Sequence, residues 1–90
     1  MALRARVTGL VQGVSFRDFV RGHATRLGLV GYVRNLPDGT TVEVYAEGQE
    51  AHLRGLIDLL WRGPDRARVT DVAVEWLAPQ GQHRTFQIAR

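Results

Sequence analysis

Ninety residues are expected to form a single domain spanning 1–90, whose small core buries only roughly 60 to 65% of the surface the unfolded chain exposes. With no cysteine there is neither a disulfide staple nor a thiolate metal site, so packing must hold the fold and a cytoplasmic setting is expected. The formal net charge is +3 and every one of the twelve basic residues is arginine, which excludes a lysine-bearing Walker A loop and lysine Schiff-base chemistry.

Met1 to Arg6 has no apolar core of a secretory signal, and no apolar run approaches the ~18 residues a membrane span needs, so no membrane association is expected. Leu3 to Val11 alternates, with Leu3, Ala5, Val7, Gly9 and Val11 on one face and Arg4, Arg6 and Thr8 on the other, the pattern of a half-buried strand. A glycine-bearing turn follows. Ser15 then has the position of a helix N-cap with Asp18 three residues on, a capping-box spacing, and Val14 and Phe19 stand where a hydrophobic staple would. Phe16, Phe19, Val20, Ala24 and Leu27 recur at helical spacing up to the stop at Gly28. His23 lies on that stripe and is expected to be a packing residue and not a base.

Leu29 to Leu36 is the second strand and Thr41 to Ala46 the third, joined through Pro37-Asp38-Gly39 into a hairpin. Glu50 to Arg62 is the second helix, with Leu53, Leu56, Ile57 and Leu60 as its buried stripe, Trp61 at the core edge and Gly63-Pro64 as its end. Arg68 to Leu77 is a fourth strand, and Thr85 to Ala89 fits a short fifth with Phe86 and Ile88 inward. The order βαββαβ implies an α+β, ferredoxin-like sandwich: an antiparallel sheet with two helices packed on one face. The other face would carry Arg4 and Arg6 against Glu43, Glu47 and Glu75 as a solvated charge mosaic.

One local rule is broken. Arg17 puts a cation in the first helical turn, where free amides and the macrodipole favour negative charge. An anion would resolve the conflict: Gly13 lets a ligand approach the backbone, the amides of Gln12, Gly13, Val14, Ser15 and Phe16 can curl around an oxyanion, and the Arg17 guanidinium can grip two oxygens. On spacing alone an ordinary strand-turn-helix with a solvated arginine explains the stretch equally well. In this topology the first two strands run parallel with the third between them, so the stretch after strand one and Asn35 near the end of strand two share one rim. Asparagine before Leu-Pro-Asp-Gly is also a common turn residue.

Gly9-Leu10-Val11-Gln12-Gly13-Val14-Ser15-Phe16-Arg17 resembles the phosphate loop of the acylphosphatase family, G-x-V-Q-G-V-x-F-R. Leu27-Gly28-Leu29-Val30-Gly31-Tyr32-Val33-Arg34-Asn35 resembles its second signature, L-G-L-x-G-W-V-x-N, in the same order and separation. Tyr32 stands where tryptophan is usual, a change expected to reach no further than the pocket rim. Thr40-Thr41 is one residue more than the family places there, which predicts a longer turn or a bulge without consequence for the site.

The resemblance implies metal-independent hydrolysis of acyl phosphates to a carboxylate and inorganic phosphate, with no cofactor. It assigns the phosphoryl oxygens to the backbone of Gln12 to Phe16 and the side chain of Arg17, and the attacking water to Asn35. The residue inventory suits this chemistry. A carboxylate leaving group, with a conjugate acid of pKa roughly 4, departs without a general acid. There is no cysteine nucleophile, Ser15 is expected to be engaged as a cap, and His23, His52 and His83 lack metal-ligand spacing. Expected partners are the acyl phosphate and inorganic phosphate as product and inhibitor, bound by a monomer. Two other readings compete. One is a non-catalytic anion-binding regulatory module. The other is an RNA-binding domain of the same element order; it conflicts with scattered arginines and a third strand lacking aromatic stacking residues, so no nucleic-acid partner is expected.

Overall fold

The computed structural model describes all residues, Met1–Arg90. Its elements are β1 (Ala2–Leu10), α1 (Phe16–Arg26), β2 (Val30–Asn35), β3 (Thr41–Glu47), α2 (Glu50–Arg62), β4 (Arg68–Leu77) and β5 (Phe86–Ile88). The strands form one sheet in the order β4-β1-β3-β2-β5. β3 is antiparallel to both β1 and β2, so the crossover through α1 leaves β1 and β2 parallel, their C-terminal ends on one rim. β5 is present and pairs with β2 in parallel, Gly31 opposite Phe86, so the sheet is mixed where an antiparallel one was expected. Both helices cover one face of this ferredoxin-like α+β sandwich.

The inward stripes of sheet and helices make one core. Leu3, Ala5 and Val7 of β1, Val42, Val44 and Ala46 of β3, Phe16, Val20 and Ala24 of α1, and Leu53, Leu56 and Leu60 of α2 are buried together. Each large aliphatic chain in it stabilises the fold by roughly 2 kcal/mol. α1 ends as expected at Gly28: the Gly28 N–H donates to the Thr25 carbonyl and the Leu29 N–H to that of Ala24, a Schellman closure that turns the chain straight into β2. At Gly31 (φ 145°), β2 crosses β3 so closely that a Cβ would lie 1.9 Å from the Tyr45 carbonyl oxygen. Trp61, expected at the core edge, is 48% exposed, while Trp76 carries the Arg54 guanidinium 5.1 Å from its ring centre.

The face away from the helices departs from expectation. Every residue of β3 is buried, including Glu43 and Glu47, which were expected in solvent. Residues 78–84, a stretch without regular structure, lie over this face: the Gly81 N–H donates to the Glu47 carboxylate at 3.2 Å, joined by the Tyr45 hydroxyl and the Gln80 N–H. The His83 ring packs 5.4 Å from Tyr45 and 5.9 Å from Tyr32. Glu43 accepts from Arg34 Nε at 2.8 Å and from the Tyr32 hydroxyl at 3.0 Å. Burial pushes both carboxyls up, but these donors outweigh it and hold Glu43 and Glu47 below the ordinary glutamate value.

Candidate active site

β1 hands the chain to α1 through Val11–Ser15. A register shift between Thr8 and Gly9 marks a bulge that bends the strand end before the turn begins. Val11 and Phe16 are buried and Val14 packs against the core, so both ends and the middle of the loop are pinned by apolar contacts. Between these pins the backbone is left-handed at Gly13 (φ 74°) and again at Ser15 (φ 63°), but not at Val14. Alternation of this kind turns successive N–H groups toward one concave side, the geometry of an anion nest. A left-handed residue with a side chain costs of order 1–3 kcal/mol, and such strain concentrates where ligands are held.

Ser15 is the N-cap residue, yet it does not cap as expected. In the left-handed conformation its hydroxyl bonds no amide of the first turn, because a capping side chain needs an extended backbone beneath it. The capping box is therefore not formed, and Asp18 instead pairs with Arg21 at 3.1 Å. No histidine or carboxylate hydrogen-bonds the Ser15 hydroxyl, so nothing activates it as a nucleophile. The consequence is a run of uncommitted donors: none of the N–H groups from Gln12 to Asp18 donates to a backbone carbonyl, and the first helical bond is from Phe19 N–H to the Ser15 carbonyl at 3.1 Å.

A cleft of about 140 Å³ opens above these amides, lined by Val11, Gly13, Ser15, Phe16, Arg17, Asp18, Asn35 and Ile88. The space is well below the roughly 300 Å³ at which drug-sized pockets begin and suits a phosphate-sized group. Arg17 and Asn35, eighteen residues apart, thus meet in one cleft. Arg17 is half-buried and takes part in none of the ion pairs, and its neighbour Asp18 turns to Arg21. Asn35, at the end of β2, has its Oδ1 buried with no hydrogen-bond partner. A buried acceptor left open costs free energy, so such atoms are rare and call for a donor from outside the chain.

Of the other loop residues, Gln12 and Val14 do not line the cleft. The Gln12 side chain turns to the β2–β3 connection, where Nε2 donates to the Leu36 carbonyl at 2.8 Å and the Thr41 carbonyl at 2.9 Å. That connection is a five-residue turn over 36–40 with unbroken register at Asn35 opposite Val42, so it carries no bulge. Asp38 holds it by accepting from the Thr40 and Thr41 N–H groups at 2.9 Å and the Thr41 hydroxyl at 2.6 Å. Through Gln12 the turn touches the loop. Tyr32 does not reach the pocket rim either; its hydroxyl is on the far face of the sheet with Glu43.

Ile88 was read from the sequence only as an inward residue of β5, and its place at the cleft follows from the parallel pairing with β2, which two-residue alternation does not reveal. His23 is half-buried against the Phe19 ring, 4.5 Å between centres, as a packing residue. No group of three or more His, Cys, Asp or Glu side chains is placed to hold a metal ion, and no helix is long and apolar enough to cross a membrane.

Known proteins place this fold and cleft in context. The acylphosphatase family model matches residues 3–88. An acylphosphatase of Dehalococcoides mccartyi is 52% identical over 86 residues, covering 96% of this chain and 94% of its own. One from Caldivirga maquilingensis is 56% identical over 73 residues, 81% and 77% of the two chains. The crystal structure of acylphosphatase from Bacillus subtilis superposes with a TM-score of 0.94 at 37% identity, covering 99% of this chain and 98% of that one. The chain belongs to the acylphosphatase family, whose enzymes hydrolyse acyl phosphates.

Proposed function

We propose that the cleft carries out this hydrolysis without a metal, the phosphoryl group seated on the N–H groups of Gln12 to Phe16 and gripped by the Arg17 guanidinium, with water aimed at phosphorus by Asn35. The observation that carries this reading is the meeting of uncommitted donors with an uncommitted buried acceptor across one small cleft. Amides, helix N-terminus and guanidinium stabilise the negative oxygens, and more so as charge shifts in the transition state. The Asn35 Oδ1 accepts a hydrogen bond from water, which turns the water's lone pair toward phosphorus. The water oxygen bonds to phosphorus as the bond to the acyl oxygen breaks, releasing a carboxylate that needs no acid. The proton lost by water passes to a phosphoryl oxygen of the substrate.

A non-catalytic phosphate-binding module would use the same loop, but simple phosphate capture has no need of a water-orienting amide at Asn35. A cysteine-free composition suits the cytosol. The test is hydrolysis of benzoyl phosphate with chelator present, inorganic phosphate acting as a competitive inhibitor. Arg17→Lys keeps the charge but loses the two-pronged grip, and is expected to lower kcat/KM at least about 100-fold and weaken phosphate inhibition. Parent-level turnover by a folded Arg17→Lys variant would overturn the assignment.

A further inference from the structure

The loop and Asn35 belong to different elements, and productive attack needs the distance between them fixed. β1 and β2 are not neighbours in the sheet; β3 lies between them. Packing shapes the loop from beneath, through Val11, Val14 and Phe16, and the Gly9 N–H ties the end of β1 to the Thr40 carbonyl of the β2–β3 turn. The side-chain link from the loop to the end of β2 is Gln12. Its amide has two hydrogens, and it places one on Leu36, the residue after Asn35, and one on Thr41, the first residue of β3. The Thr41 carbonyl also accepts the Leu36 N–H at 2.9 Å, so the amide sits across the mouth of the hairpin where β2 ends. Glutamine suits this span: asparagine is one methylene shorter, and a hydrocarbon of equal length donates nothing.

We infer that Gln12 is a positioning residue, its side-chain amide setting the separation between the phosphate-holding loop and the water-holding Asn35. This rests on the roles given above to the loop, Arg17 and Asn35. Gln12 acts through geometry, so its loss should spare what the loop does alone and damage what loop and Asn35 do together. Phosphate capture depends on the loop amides and Arg17, whereas in-line attack depends on the gap to Asn35. Displacements of ~1 Å in such arrangements cost on the order of 100-fold in rate.

The experiment compares the parent, Gln12→Met, Gln12→Glu and Arg17→Ala on benzoyl phosphate, with the inhibition constant of inorganic phosphate and the circular dichroism of each. Gln12→Met is expected to fold, to lose about 10- to 100-fold in kcat, and to keep its phosphate inhibition constant within about threefold of the parent. Gln12→Glu supplies a rescue. Ionised, it presents only acceptors to two carbonyls; protonated, it donates to one of them, and its surroundings raise its pKa. Its kcat relative to the parent should therefore rise on the order of tenfold between about pH 8 and about pH 5.

A Gln12→Met variant with parent kcat, or with phosphate affinity lost in proportion to kcat, would overturn the positioning role. So would a pH-independent Gln12→Glu ratio, which decides the matter should Gln12→Met fail to fold. Arg17→Ala separates the two levels: if it keeps parent activity the site itself is misassigned, whereas an inactive Arg17→Ala beside a parent-like Gln12→Met removes only the inference about Gln12.

Discussion

Asn35→Ala distinguishes a residue kept for the reaction from one kept for the turn. Its Oδ1 is buried and unpartnered, and an acceptor in that state costs about 1–3 kcal/mol relative to one that is satisfied. Truncation removes that cost and, against it, the contacts of one half-buried amide, leaving a net gain of roughly 1 kcal/mol. For a chain of this size that raises Tm by about 4–8 °C. The same change leaves the attacking water without an acceptor, and kcat should fall on the order of 100- to 1,000-fold. Thermal unfolding followed by circular dichroism, alongside benzoyl phosphate hydrolysis, reads both effects on one preparation. A Tm lowered by several degrees with activity intact would mean that Asn35 is a turn residue after all, and the reasoning from its open acceptor would fail.

Gly31→Ala should be severely destabilising. The added Cβ meets the Tyr45 carbonyl oxygen at 1.9 Å and the backbone must hold φ 145°, so a loss exceeding about 3 kcal/mol is expected from denaturant titration; a loss under about 1 kcal/mol would contradict the packing of β2 on β3. Acid stability follows from Glu43 and Glu47. Their folded pKa values lie below the ordinary 4.5, so the stability they confer is present above that value and is lost as pH falls through the lower folded values. Glu47→Gln should therefore destabilise the protein at pH 7 and flatten the decline of Tm on the acid side, and an acid limb of unchanged steepness would contradict the buried hydrogen-bonded carboxylate.

Regular periodicity made most of the fold legible. The α2 boundaries, the β4 boundaries and the inward stripes of Leu3, Ala5, Val7 and of Leu53, Leu56, Leu60 follow from spacing alone. The errors lie where identity and spacing leave the backbone undetermined. Ser15 with Asp18 has the spacing of a capping box, but spacing does not reveal a left-handed φ, and it is that φ that keeps the hydroxyl off the amides. The misplaced cation at Arg17 was the better signal. Glu47 was read as solvated because 78–84 has no periodicity to announce that it lies over β3, and Glu43 because alternation does not reveal that Arg34 and Tyr32 close on it. Gln12 counted only as backbone, since no pattern tells that a side chain will reach 24 and 29 residues ahead.

The most direct measurement is hydrolysis of benzoyl phosphate in water enriched in oxygen-18, followed by mass analysis of both products. With the phosphoryl group held by the loop and water aimed at it by Asn35, the label must appear in inorganic phosphate and the benzoate must remain unlabelled. Label in the benzoate would place the attack on the acyl carbon and contradict the account.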